Sequence, residues 1–302
     1  MVRPTVQLAC AFLAVLSAVG LLSAPAAGAA QEADPLWRPH YRRAAPVDVL
    51  VMALGGGLYL TDHYLIPWRT RAVWSGPILL DKPVRELSAF EDRDARERSA
   101  EVSDWLFAGS VLHNMIFDNL LVAWAVHGEP GTAFQMTVMN LEAYAVAGAL
   151  TGLVKTAAGR ERPFARECRR DPGYTRLCGA PTSYRSFFSA HATTTAVGAG
   201  LLCAHHLHMP LYRRRGLDWA TCGFGVGMTI FTGALRMTSD RHWLSDVVTG
   251  HLVGFAAGYL IPTLFFYEYN DGGRGLSGTR STTTLLPFIS GDQIGGQLLS
   301  FF

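Results

Sequence analysis

The stretch RMTSDRHWLSD, Arg236 to Asp246, gathers an arginine, a histidine and an aspartate between two strongly apolar runs. His242 and Asp246 are four residues apart, so on a helix they share a face and the carboxylate accepts the imidazole Nδ1 proton. That contact leaves Nε2 with a free lone pair, the requirement for a base or a nucleophile. Ser239 or Asp240 as an N-cap would put His242 in the first helical turn, where backbone N–H groups favour an anion. Arg236 adds a permanent positive charge. The same pair also occurs as a plain structural hydrogen bond, so this block alone does not define a site.

Two more blocks stand at the ends of apolar segments. KTAAGRERP supplies Lys155 and then Arg162-Pro163; FSAH supplies Ser189 and His191. Placed together, one lysine, two arginines, two histidines, a carboxylate and a helix start opened by Ser189 make a cradle for phosphate. Phosphoryl transfer needs charge neutralised on the equatorial oxygens, an in-line nucleophile and a proton for the leaving oxygen. His242 can attack and His191 can protonate; water then hydrolyses the phosphohistidine with His191 as base. No metal or other cofactor is expected, and there is no H-E-x-x-H block.

The order of these blocks, K-xxxxxx-R-P, S-x-H and R-xxxxx-H-xxx-D, resembles the type 2 phosphatidic acid phosphatase superfamily, which includes bacterial acid phosphatases and vanadium haloperoxidases. The resemblance spans residues 47 to 266. It implies an α-helical bundle in which Lys155, Arg162, Ser189 and Arg236 bind phosphate, His191 is the general acid, His242 the nucleophile and Asp246 its orienting partner. Two departures stand out. Leu235 precedes Arg236 where the family has serine, and Phe188-Ser189-Ala190-His191 replaces Pro-Ser-Gly-His. One hydrogen bond is lost and one methyl gained beside the phosphate, which tunes activity without abolishing it. The function implied is a metal-independent phosphatase acting on phosphomonoesters or diphosphates, in particular of lipids. Two alternatives stay open: a vanadate-dependent haloperoxidase, with His242 coordinating the metal, and a non-enzymatic lipid-binding membrane protein that has kept the pocket.

Apolar segments at 47–66, 104–126, 132–154, 190–209, 219–237 and 244–266 must position these residues. Each is long enough to span a bilayer as a helix. The expected fold is therefore all-α, a bundle of about six long apolar helices embedded in a membrane, with a short C-terminal β-hairpin. His113, Asp118, Asn119, Asn140, Glu142 and His251 lie inside these segments, and the mean hydropathy of +0.18 also suits buried helices of a soluble bundle. With 26 basic and 24 acidic residues the net charge is only +2, which speaks against nucleic acid as a partner. The partners expected are a phosphorylated lipid or other phosphate ester and the membrane; the sequence does not set an oligomeric state.

The chain reads as residues 1–30, signal peptide or N-terminal anchor; 31–103, polar approach, first apolar helix and charged surface segment; 104–270, helical core; and 271–302, glycine-rich linker and hairpin. Arg213 to Arg215 between the fourth and fifth segments belong on the cytoplasmic side, so loop 155–189 and residues 236–246 face the periplasm of a bacterial envelope. The inner membrane is the expected location, with a periplasmic protein as the alternative. Cys168 and Cys178 could pair in that loop, while Cys203 and Cys222 read as small core residues. His205, His206 and His208 lack a supporting carboxylate or cysteine and read as interfacial polar groups rather than metal ligands.

Overall fold

Proline and side-chain caps set where several helices begin. Helices α1 (Pro46–Leu60), α4 (Pro130–Ala158) and α5 (Pro163–Glu167) start on proline, whose fixed φ suits the first turn and whose missing N–H is not needed there. Asp92 caps α3 (Arg93–Leu112), accepting from Ala95 N at 2.7 Å, and Ser189 caps α6 (Ala190–His208). The other described α-helices are α2 (Asp81–Ser88), α7 (Arg215–Thr238) and α8 (Leu244–Pro262). The computed structural model describes residues 35–269 in full and 282–290 and 293–301 as backbone. The signal or anchor at 1–30 and the linker at 271–278 lie outside the described residues.

Helix α3 passes without a break into a wider π-helical stretch, His113–Val126, and α8 into another, Thr263–Tyr267. Among the described residues, three helices are then long and apolar enough to cross a membrane: Arg93–Val126, Pro130–Ala158 and Leu244–Tyr267. The six long apolar helices expected from the sequence are thus not seen. The run at 47–66 changes pitch after Leu60 and buries Asp62. Helix α6 is rich in alanine and other small residues in its first half, and every residue from Thr195 to His206 is buried. A helix enclosed on all sides needs small side chains more than apolar bulk.

The closest packing is between α6 and α8. Gly250, Gly254 and Gly258 recur every four residues along α8. A Cβ on Gly254 would lie 2.1 Å from Thr193 O, and one on Gly258 2.1 Å from Val197 O. The two backbones touch along this stripe, as small-residue faces allow between membrane helices. Outward faces carry large apolar side chains instead, Leu50, Leu54, Ile230, Phe231 and Leu252 among them. So much exposed apolar surface suits lipid better than water. The C-terminal ends of α4 and α7 and the N-terminal ends of α6 and α8 bring Lys155, Arg236, His191 and Asp246 to one end of the bundle.

Residues from Asn270 onward form a unit of their own. There Thr282–Ser290 pairs antiparallel with Gln293–Phe301, from Thr282 opposite Phe301 to Ser290 opposite Gln293. A two-stranded ribbon with no third strand is marginal by itself in water, so the expected terminal hairpin is not supported as an independently folded element.

Candidate active site

The turn before α8 is held by a buried ion pair. Asp240 has φ +57, a left-handed conformation, and its carboxylate accepts from Arg85 Nε at 2.6 Å, Arg85 Nη2 at 2.8 Å and the Tyr174 hydroxyl at 3.0 Å. The chain then doubles back, and the N–H groups of Arg241 and His242 both donate to Arg236 O. Helix α8 begins only at Leu244. This corrects the expectation that Ser239 or Asp240 caps a helix containing His242: Asp240 is committed to Arg85, and Asp246 reaches back to accept from Trp243 N at 3.0 Å. His242 therefore meets Asp246 across a turn, not along a helix face.

Asp246 is fully buried and held from several sides. Its Oδ2 lies 3.4 Å from His242 Nδ1 and accepts from the Ser186 hydroxyl at 2.5 Å; its Oδ1 accepts from Arg160 Nη1 at 2.6 Å. The contact to His242 is long for a hydrogen bond. Arg160, fully buried, also donates to Asp81 Oδ2 at 2.6 Å and lies over the Trp74 ring at 3.9 Å. No hydrogen bond from the described residues engages His242 Nε2, which leaves that atom for a ligand.

The cations sit around this histidine. Lys155, buried, donates its Nζ to Arg185 O at 2.9 Å and Ser186 O at 3.2 Å. Arg185 is itself tied to Asp62 at 2.5 Å and Thr156 at 2.6 Å, so the carbonyl that orients Lys155 is fixed. Arg236 Nη1 donates to Ser103 Oγ at 2.9 Å and Asp104 Oδ1 at 3.2 Å. Arg162 Nε and Arg236 Nε are buried without a hydrogen-bond partner among the described residues. Leaving a charged donor unmet in the interior is costly, so these atoms call for an anion. Burial first, and then the charges of Arg162, Lys155 and Arg236, hold the His242 imidazole well below its usual range. Burial and the nearby Arg241 bring Arg162 down to about 10, still protonated at neutral pH.

His191 occupies the first turn of α6, with its Nε2 2.7 Å from Asp104 Oδ1 and its ring 5.0 Å from Phe107. Burial and Arg236 push it down to about 4, against the pull of Asp104. Ser189 is fully buried; its Oγ accepts from Ala192 N at 3.4 Å and its N–H donates to Asp246 O at 3.0 Å, tying α6 to α8. Lys155, Arg162, Ser189, His191, Arg236, His242 and Asp246 are thus brought to one place. Sequence reasoning missed Arg160, Ser186, Asp81 and Asp104. Arg160 stands inside the GRERP block, the one available signal; the others approach from distant segments.

The remaining polar residues lie elsewhere. Asp118 meets Tyr212 Oη at 3.1 Å, His113 Nδ1 at 3.4 Å and His206 Nε2 at 3.5 Å, and His206 Nδ1 meets Asp218 at 2.7 Å. His206 is 15 residues beyond His191 on α6, about 22 Å away at the rise of an α-helix. His205 bonds Tyr267 and Asn140, and His208 stacks on Tyr267. Cys168 and Cys178 form a disulfide with Cα atoms 5.4 Å apart. Cys203 and Cys222 form a second, joining α6 to α7 at 4.4 Å. That corrects their reading as separate core residues: the two helices pass close enough for the sulfurs to bond.

Residues 138–270 match the model of the PAP2 superfamily, a span that contains all seven residues named above. The chain is also 27% identical over 139 residues to the probable diacylglycerol pyrophosphate phosphatase 1 of Schizosaccharomyces pombe, covering 40% of this chain and 50% of that protein. It thus spans about half the length of this curated relative. No solved structure gives a significant match.

Proposed function

Residues 138–270 belong to the PAP2 superfamily, and from that premise we propose that the protein is a phosphatase hydrolysing phosphomonoesters or diphosphates of lipids through a phosphohistidine on His242. The observation that carries this reading is the pair of buried, unpartnered guanidinium donors, Arg162 Nε and Arg236 Nε, beside Lys155 and a neutral His242. A phosphate group meets those donors, and neutralising its oxygens is most of what phosphoryl transfer requires.

In the first step His242 Nε2 gives its lone pair to phosphorus, the bond to the leaving oxygen breaks, and His191 passes that oxygen a proton. Asp246 accepts the His242 Nδ1 proton as a hydrogen bond and offsets the positive charge that develops on the ring. In the second step water attacks phosphorus, His191 takes a proton from the water, the P–N bond breaks and inorganic phosphate leaves. Arg160 and Ser186 keep Asp246 aimed. A diacylglycerol diphosphate or monophosphate fits the apolar exterior and the name of the fungal relative. The proposed setting is a bacterial inner membrane with the site facing the periplasm: the loop disulfide suits an oxidising compartment, and Arg213 to Arg215 lie at the start of α7, the end remote from Arg236.

The test is phosphate release by detergent-purified protein in EDTA from diacylglycerol diphosphate, phosphatidic acid and an aryl phosphate. His242→Ala is expected to lower release by on the order of 10³-fold or more. No release from any of the three by folded wild-type protein would sink the reading; halide oxidation on adding vanadate and hydrogen peroxide would replace it with a haloperoxidase.

A further inference from the structure

His191 faces one carboxylate, Asp104. Its Nε2 lies 2.7 Å from Asp104 Oδ1, and the same oxygen accepts from Arg236 Nη1 at 3.2 Å. The other groups acting on His191 are cationic or neutral: Arg236 from α7, Arg162 ahead of α5, His242 before α8, and the Phe107 ring from α3. No hydrogen bond from the described residues engages His191 Nδ1. Asp104 belongs to α3, outside the residues that match the PAP2 superfamily, and no part of the seven-residue pattern includes it.

The arrangement repeats, on the opposite histidine, what Asp246 does for His242. A histidine that protonates a leaving group must carry two ring protons when substrate is bound, in a site crowded with cations that disfavour the second. Resting on the phosphatase reading, we infer that Asp104 is the positioning residue of the acid step: it holds His191 by Nε2–H and stabilises its doubly protonated form, leaving Nδ1–H to be given to the leaving oxygen. In that step the Nδ1–H bond breaks, the O–H bond of the released alcohol forms, and His191 is left neutral with Nε2–H still on Asp104. Arg236 links the pair to phosphate binding, because donors turned to the substrate relinquish Oδ1 to His191.

The experiment compares kcat/KM, which ends at departure of the leaving group, for two substrates with the same phosphate. Dioctanoyl phosphatidic acid releases an alkoxide that needs a proton; p-nitrophenyl phosphate releases a stable phenolate that does not. Asp104→Asn is expected to lower kcat/KM at least tenfold on the lipid and by no more than about twofold on the aryl ester. The alkaline limb of the lipid pH profile is expected to move to lower pH, since losing the carboxylate makes His191 release its proton sooner. Asp104→Glu restores part of the lipid activity. An equal loss on both substrates would overturn the inference in favour of a structural or phosphate-binding role. A rise on both would overturn it too, showing a carboxylate that merely occupies the anion site. Wild-type protein silent on both substrates and on diacylglycerol diphosphate brings down the phosphatase reading itself, a result distinct from either.

Discussion

At the scale of single residues, the site is an excess of buried positive charge waiting for an anion. His242 is held well below its usual range, and His191 at about 4, so both rings are neutral in the empty site at neutral pH. A bound phosphate or vanadate favours the protonated ring, which raises the His191 value. Between its free and bound values, binding must therefore take up protons. Calorimetry of vanadate binding at pH 6 in two buffers of different ionisation enthalpy is expected to show net uptake, and equal heats in both buffers would contradict it. Arg160 gives a second prediction. It is the shared counter-charge of Asp81 and Asp246, all three buried. Arg160→Met leaves two carboxylates facing without a cation and is expected to cost about 3–5 kcal/mol, read as unfolding in detergent. Arg160→Lys does not rescue it, since one ammonium lacks the fork that spans both acids.

At the scale of elements, α6 is the post around which the site is assembled, and its contact with α8 sets the distance between His191 and His242. The glycine stripe fixes that contact through absent side chains, so its disruption is steric. Gly254→Leu is expected to abolish folding and activity together, because its Cβ alone would meet Thr193 O at 2.1 Å. Gly227→Leu, on α7 with nothing within 4 Å of its Cβ, is expected to be neutral or slightly stabilising through its better helix propensity. The yield of monodisperse protein and its melting temperature distinguish the two.

At the scale of the molecule, large apolar side chains lie exposed along the helices. A spin label at Leu252, 69% exposed on α8, is expected to be relaxed by oxygen from the bilayer, and one at Lys82, exposed on α2, by an aqueous nickel chelate. Nickel accessibility at both positions would place the bundle outside the membrane.

The candidate site was legible in the sequence because it is marked by residue types at short spacings: Lys155 with Arg162, Ser189 with His191, and Arg236 with His242 and Asp246. These blocks sit at segment ends, and helices of similar length bring such ends together. Helical class was equally legible, from segment length and apolar content. The number of long apolar helices was not. Burial on all sides and exposure to lipid both select against charge, so α6 reads as a span although it is the enclosed core. The partners of the catalytic pairs were hidden for another reason. Asp104 reaches His191 across 87 residues of sequence, Arg160 reaches Asp246 across 86 and Asp81 across 79, and no local pattern records such a pairing. Sequence by itself determined which groups gather at the candidate site; the tertiary structure alone decided which carboxylate holds which histidine, because that choice depends on how distant helices pack.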